Sequence, residues 1–363
     1  MHILIIGGTG FIGSWVVRQL IGDGHVVAVF HRGHTTADLP PAVSHIDGDR
    51  NNLSAFASGF TQFAPDVVLD MFPYTERDAA LVMQTFRGVA GRVVAVSSMD
   101  VYRAYGRFSR FEEGPPDLQP FTEEAPLRSK LYPYRASAQQ PSDLAYNYEK
   151  ILVEKEVMSD TELPGTVLRL PQVYGPGDPQ RRLFEFLKRM SDARPIILLE
   201  EGRAQWRWTR GYVENVAAAI ALAVTNDRAT GHTYNVGEKE AFTELEWVER
   251  IGKTVSWTGT IKVIPRFMLP AHLVLPYDWA HHLAGDTSRI RRDLAYEESV
   301  SVEEALRRTV AWERAQPPKQ IEPSHFDYAA EDSACAKSQD NRITGANAGG
   351  RHSASQHSGQ TDK

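Results

Sequence analysis

Along the first hundred residues, apolar positions come in short continuous runs separated by helical patterns. Ile3–Ile6, Val26–Phe30, Asp66–Asp70 (DVVLD) and Arg92–Ser97 (RVVAVS) are too short for helices. Continuous runs of this length suit strands buried on both faces of a parallel sheet. Between them, Phe11–Ile21 and Asp78–Phe86 follow the helical period, and the first stops at Gly22 and Gly24. Strands alternating with helices predict right-handed βαβ units and an α/β fold with a doubly wound parallel sheet. From about Phe108 to Ser142 the pattern is irregular and rich in Pro, Arg and Tyr, as in a functional or mobile loop. Further on, Asp143–Asp160 reads as one helix, Gly165–Leu170 as a buried strand and Pro171–Pro179 as a turn-rich crossing. Arg181–Met190 and Tyr212–Val224 read as helices and Thr233–Val236 as a short strand. Glu244–Gly252, Arg266–Leu275 and Val302–Ala315 also look helical.

The composition narrows the class. Of 363 residues, 42% are hydrophobic and 24% charged, enough to bury a core and to exclude wholesale disorder. One cysteine excludes an internal disulfide and a CxxC metal site. The stretch 316–363 is rich in Ser, Gln, Gly, Ala, Asp and Asn, and is expected to be a disordered tail. It holds Cys335, so the folded body is expected to lack a thiol for catalysis. A net charge of −6 and no long Lys/Arg block make a nucleic-acid partner unlikely on charge grounds. No run reaches the ~18–20 apolar residues of a membrane span, so no membrane partner is expected. Met1–Ile6 runs straight into glycines without a basic leader, so a cytoplasmic location is expected. The 12 histidines show no HExxH or similar spacing, and no metal is expected.

Gly7-Gly8-Thr9-Gly10-Phe11-Ile12-Gly13 joins the first strand to the first helix with G-x-x-G-x-x-G spacing. Glycines there permit a tight turn, and backbone N–H groups at the helix start can approach a pyrophosphate. At a strand–helix junction of a βαβ pattern this points to a dinucleotide, NAD or NADP. After the second strand, His31-Arg32-Gly33 has no acid for a ribose 2′-hydroxyl. Arg32 suits a 2′-phosphate, a slight lean to NADP. Tyr146 has a lysine four residues on, Lys150. On one helix the pair would share a face, and the ammonium would favour phenolate, making the tyrosine a general acid/base.

The glycine spacing, the Tyr146…Lys150 pair and Ser97-Ser98-Met99-Asp100-Val101-Tyr102 together resemble the extended short-chain dehydrogenase/reductase family, the NAD-dependent epimerases and dehydratases. So does Arg169-Leu170-Pro171-Gln172-Val173-Tyr174-Gly175-Pro176-Gly177-Asp178. The resemblance covers about residues 1–315. It implies a Rossmann dinucleotide-binding domain over 1–165, with strands near 166–171 and 233–236 returning to it. A smaller interleaved substrate domain would occupy mainly 172–315. It implies Ser98, Tyr146 and Lys150 as the catalytic set. It implies cofactor contacts from Gly7, Thr9, Gly10, Phe11, Ile12, Gly13, Arg32, Asp49, Arg50, Asp70, Met71, Ser97, Leu170 and Val173, besides Tyr146 and Lys150. In it, Asp49 of Gly48-Asp49-Arg50-Asn51 would bond the adenine amino group. Asp100, Arg128 and Arg207 are candidate substrate contacts, with Arg210 an alternative register, and Arg266, Tyr277, Trp279 and His281 candidate pocket residues. The implied activity is an NAD(P)-dependent epimerase or reductase working on a nucleotide sugar or related hydroxyl or carbonyl compound. A homodimer is implied, paired through the helix bearing Tyr146 and Lys150 and the one before it.

Two departures bear on the substrate. Sugar dehydratases of the family carry Thr-Asp-Glu where this chain has Ser98-Met99-Asp100, and Met99 cannot donate a proton. Asp70-Met71-Phe72-Pro73 replaces a small Ala/Gly pair. These resemble a divergent subgroup that includes chloroplast stem-loop-binding proteins. The alternative is therefore a non-catalytic or RNA-binding protein on the same fold. The loop residues Arg128, Lys130, Tyr132, Tyr134 and Arg135 could serve either a nucleotide or RNA.

Overall fold

The computed structural model describes residues 1–33 and 38–348, with side chains to residue 338. Its strands in chain order are β1 (His2–Ile6), β2 (Val26–His31), β3 (Ser44–Asp47), β4 (Val67–Asp70), β5 (Arg92–Ser98), β6 (Gly165–Leu170), β7 (Gln172–Tyr174), β8 (Ile196–Glu200), β9 (Arg210–Tyr212), β10 (Thr233–Asn235) and β11 (Thr260–Ile264). Seven form one parallel sheet in the order β10-β6-β5-β4-β1-β2-β3. This is a Rossmann-like doubly wound sheet. The chain winds from β1 to β2 and β3 on one side, then returns to β4 on the other. Loops leaving β1 and β4 therefore diverge at their C-terminal ends and open a crevice there.

Side-chain alternation decides which layer each residue feeds. Ile3 and Ile5 of β1, with Val27, Val29, Val67 and Leu69, face one core. Leu4 and Ile6, with Ala28, Phe30 and Val68, face the other. The helices Phe11–Gly22 and Val213–Thr225 pack together on the first face, and Glu76–Phe86 and Lys150–Met158 on the second. Two small parallel pairs, β7–β9 and β8–β11, lie outside the sheet.

Three expectations change. Asp143–Asp160 is not one helix: a turn at Leu144–Asn147 is parted from Lys150–Met158 by extended Tyr148 and Glu149. Arg266–Leu275 is two 3₁₀ turns, Arg266–Met268 and Ala271–Leu273, led by Pro265 and Pro270, which lack the N–H a continuous helix needs. The residues after Gln316 do not form a disordered tail throughout. A helix runs from Tyr328 to Ala348, and Ala334 and Cys335 are buried with Leu198, Ile264 and Leu273. Lys262 Nζ donates to the Cys335 carbonyl at 2.8 Å, so the cysteine belongs to the folded body. Residues 349–363, also assigned to the tail, lie outside the described residues.

Candidate active site

The glycine loop leaves β1 at the crevice. Gly7 has φ +85°, a conformation that suits glycine. A β-carbon on Gly13 would lie 3.0 Å from the Gly7 carbonyl oxygen, so its absence lets the helix sit on the strand. The first turn of Phe11–Gly22 has no side-chain cap and no acidic residue. Its N–H groups and positive dipole end are therefore available to an anion. Gly7, Thr9, Gly10, Arg32, Asp49 and Arg50 line an open crevice of about 950 Å³, together with Tyr132, Asp143 and Asn147. These features fit a dinucleotide: an anion site on the loop, and an acceptor at Asp49. Accepting the Asn51 N–H at 2.9 Å holds the Asp49 carboxyl below its ordinary range, with Arg32 and Arg50 adding to this. Phe72, from the unexpectedly bulky segment after β4, packs its ring against Gly7 and Gly10.

Other residues implied at the cofactor lie beneath the crevice rather than along it. The Asp70 carboxylate accepts from Arg50 Nη2 at 2.8 Å and from the Phe72 N–H at 3.1 Å. Ser97 Oγ donates to buried Glu154 at 2.5 Å. Met71, Leu170 and Val173 are core residues, and Phe11 and Ile12 are half-buried against that core.

Ser98 ends β5, where its hydroxyl accepts the Asp100 N–H at 3.1 Å. Lys150 opens its helix and is buried, donating to the carbonyls of Pro73 at 2.9 Å and Val96 at 2.8 Å. Burial lowers its pKa to about 8, against the pull of Asp100 and Asp70. Tyr146 is not brought to this pair. Its ring lies 4.7 Å from the Arg135 guanidinium, and its carbonyl accepts Arg135 Nε at 2.9 Å. Tyr148 stands there instead, donating to Asp100 Oδ2 at 2.8 Å.

The cause is Glu149. Its fully buried carboxylate caps the helix at the Ile151 N–H (3.0 Å) and accepts from Tyr132 N–H (2.6 Å) and Arg128 Nη2 (3.0 Å). Its own N–H donates to the Tyr74 carbonyl at 2.9 Å. Residue 149 is held extended, at φ −158° and ψ 96°. The i,i+4 relation between Tyr146 and Lys150 therefore fails, and residue 148 turns inward. This also corrects Arg128, which is 3% exposed and occupied by Glu149 and backbone carbonyls, not available to a substrate. The aromatic and basic loop likewise turns on itself: Arg135 covers the Tyr132 ring at 3.7 Å, and Tyr134 donates to Asp100 at 3.0 Å.

A second cavity of about 190 Å³ lies among Trp206, Trp208, Trp247 and Trp279, with Phe108 stacked on Trp206 and Tyr277 at 4.7 and 4.5 Å. Arg210 lines it, with Arg203, Glu185 and Glu244. Arg207 does not; it is exposed and donates to the Ala241 carbonyl at 2.8 Å. Arg266 is held by Glu200, and His281 lies outside the lining, unlike Tyr277 and Trp279. The tryptophans come from three distant segments, and only Trp206 and Trp208, two apart in one strand-like stretch, hint at it in sequence. No helix of the described residues is long and apolar enough to cross a membrane, and no group of three or more metal-ligating side chains occurs among them.

Known proteins are similar to this chain over most of its length. The NAD dependent epimerase/dehydratase family matches residues 3–237. A 2′-dehydrokanamycin reductase of Streptomyces kanamyceticus is 29% identical over 258 residues, covering 69% of this chain and 66% of its own length. The dTDP-glucose 4,6-dehydratase of Neisseria gonorrhoeae is 26% identical over 352 residues, covering 86% of this chain and 95% of its own. A crystal structure of dTDP-glucose 4,6-dehydratase from Bacillus anthracis in complex with NAD superposes with a TM-score of 0.65 at 18% identity, over 87% of this chain and 97% of that one. With the Rossmann-like sheet, the glycine crevice and a family match over most of its length, this chain belongs to the NAD-dependent epimerase/dehydratase family and is an enzyme of its oxidoreductase or isomerase type.

Proposed function

We propose that the protein is an NAD(P)-dependent epimerase or reductase acting on a nucleotide sugar or a related hydroxyl or carbonyl compound. The observation that carries this reading is the placing of three features at the C-terminal ends of the central strands. The anion-ready glycine loop ends β1, Ser98 ends β5, and the Lys150 ammonium is buried between the carbonyls of Val96 and Pro73. A bound nicotinamide dinucleotide supplies the hydride acceptor and donor. The glycine loop holds its pyrophosphate, Asp49 its adenine, and Arg32, which follows β2 where the sequence has no acid for a ribose 2′-hydroxyl, favours the 2′-phosphate of NADP. Ser98 hydrogen-bonds the reacting oxygen, Lys150 keeps a cation beside the site, and a tyrosine of the segment 146–148 exchanges the proton. A reductase stops at the alcohol; an epimerase returns hydride to the other face of the carbonyl.

The aromatic walls of the second cavity suit the flat face of a base, while its Arg210 is paired with Glu244. An RNA-binding reading draws little support from the loop, whose Arg128, Tyr134 and Arg135 are engaged internally. The protein is further proposed to work in the cytoplasm as a homodimer, through the outer sides of Glu76–Phe86 and Lys150–Met158. The test is mass spectrometry of nucleotides released from the purified protein, with sedimentation of the same preparation. NAD or NADP in near-stoichiometric amount, on a dimer, is the expected outcome. A protein that carries neither and binds neither at millimolar concentration would refute the cofactor; a monomer at micromolar concentration would refute the pairing.

A further inference from the structure

Asp100 is 6% exposed, yet it is the centre of a hydrogen-bonded set of phenols. Its Oδ2 accepts Tyr148 at 2.8 Å and Tyr134 at 3.0 Å, and Tyr134 meets the Tyr105 hydroxyl at 2.9 Å. Its Oδ1 is buried without a partner. Arg128 and Lys150 supply the positive charge that faces it, and burial outweighs them, raising its pKa. Lys150 Nζ lies 5.9 Å from the Tyr148 ring centre. Among the described residues, Tyr146 shows no hydrogen bond to Asp100, and Arg135 lies against its ring and carbonyl.

A phenol that works as a general acid/base must be able to give up its own proton as it takes another. Tyr148 has a carboxylate in line for that proton and Tyr146 does not. We propose that Tyr148, not Tyr146, exchanges the proton with the substrate oxygen, and that Asp100 acts behind it as a positioning residue and proton store. The assignment rests on the hydride-transfer reading above. In the oxidative direction the substrate O–H bond breaks and its proton passes to Tyr148 Oη. The Tyr148 proton passes to Asp100 Oδ2, which becomes a neutral carboxyl. The carbon's hydride leaves with its electron pair for an oxidised nicotinamide, and the carbonyl forms. Reduction runs the same transfers backwards. The pKa of Tyr148, pushed up by burial and by the Asp100 charge, keeps it a phenol between turnovers.

The test compares Tyr148→Phe, Tyr146→Phe and Asp100→Asn in the full chain labelled with 3-fluorotyrosine. The two tyrosine variants assign their own fluorine resonances by loss. On saturation with NADP⁺ or NAD⁺ the Tyr148 resonance is expected to move and that of Tyr146 to stay. Tyr148→Phe should lower kcat by about 100- to 10,000-fold with dinucleotide affinity unchanged, while Tyr146→Phe stays within a few-fold. Asp100→Asn should lower kcat but not KM, and remove the carboxyl's limb from the pH–kcat profile. The groups facing that carboxyl, Arg128, Lys150, Tyr105, Tyr134 and Tyr148, remain in place. Movement of the Tyr146 resonance alone, or loss of kcat in Tyr146→Phe with Tyr148→Phe active, would overturn the assignment. Failure to bind either dinucleotide would instead remove the functional reading, and the assignment with it.

Discussion

Glu238 is 5% exposed against the small β7–β9 pair, where its Oε1 accepts the Tyr174 hydroxyl at 2.9 Å and its Oε2 has no partner among the described residues. Burial pushes its pKa up to about 7. The native state thus holds this proton at pH values where the unfolded chain, near 4.5, has released it. Its stabilising effect is full below 4.5 and is lost as pH rises through 7, at up to about 1.4 kcal/mol per pH unit. Glu238→Gln mimics the neutral form, so urea midpoints measured from pH 4.5 to 8 should decline less in the variant than in the parent; parallel curves would refute the shift. Sequence reasoning singles out Ser98 and Lys150 as candidates because their signals are local: two serines at a strand end and a cation at a fixed distance from an aromatic. It does not single out Tyr148, the residue proposed above, because the break before Lys150 depends on contacts of Glu149 with Arg128, 21 residues away, and with Tyr132 and Tyr74, which spacing alone cannot show. It misreads Arg128 for the same reason, since a cation in an irregular segment looks solvated until its partner is known.

At the scale of elements, Gly165 opens β6 directly against the helix Lys150–Met158. A β-carbon there would overlap the Val157 carbonyl oxygen and approach Val157 Cγ1 to 2.5 Å. Neither backbone can yield without moving the helix or the strand that carries Arg169 to Glu154 at 2.6 Å. Gly165→Ala should therefore destabilise by about 1–3 kcal/mol, read as a lower urea midpoint with an unchanged m-value, whereas an unaltered midpoint would mean the helix and strand have slack. The elements themselves divide by how they are stabilised. β1, β2, β4, β5 and β6 are legible because burial on both faces demands continuous apolar runs. β3 is not, because as the outermost strand its Ser44, His45 and Asp47 face solvent and carry no apolar run. The apolar residues of β8 follow Pro195 closely after a helix, and so short a run does not distinguish strand from helix. The division of Asp143–Asp160 was illegible for the tertiary reason given by Glu149.

The whole molecule changes the meaning of the chain's last described stretch. Composition argues for disorder after Gln316 because Ala, Ser and Gln offer little apolar surface, and that argument takes the segment alone. The body supplies the missing partner. Arg189, 2% exposed on the helix Phe184–Ser191, donates to Glu331 Oε1 at 2.6 Å and to the His325 carbonyl at 3.0 Å, and His272 meets the same carboxylate at 3.1 Å. Arg189 is buried with its guanidinium on residues of the docked segment, and the composition of either part by itself cannot reveal that pairing. Removing one charge of a buried pair leaves the other uncompensated, which costs about 3–5 kcal/mol. Glu331→Ala should lower the melting temperature accordingly. It should leave dinucleotide affinity unchanged, because the docked helix lies on β8 and β11 and not at the glycine crevice. A second change, Arg189→Met in the same chain, removes the stranded guanidinium and should restore part of the loss. If Glu331→Ala melts with the parent, the segment is not held by this pair. If the double variant is no more stable than the single one, the loss comes from packing around Ala334 and Cys335 and not from the unpaired charge.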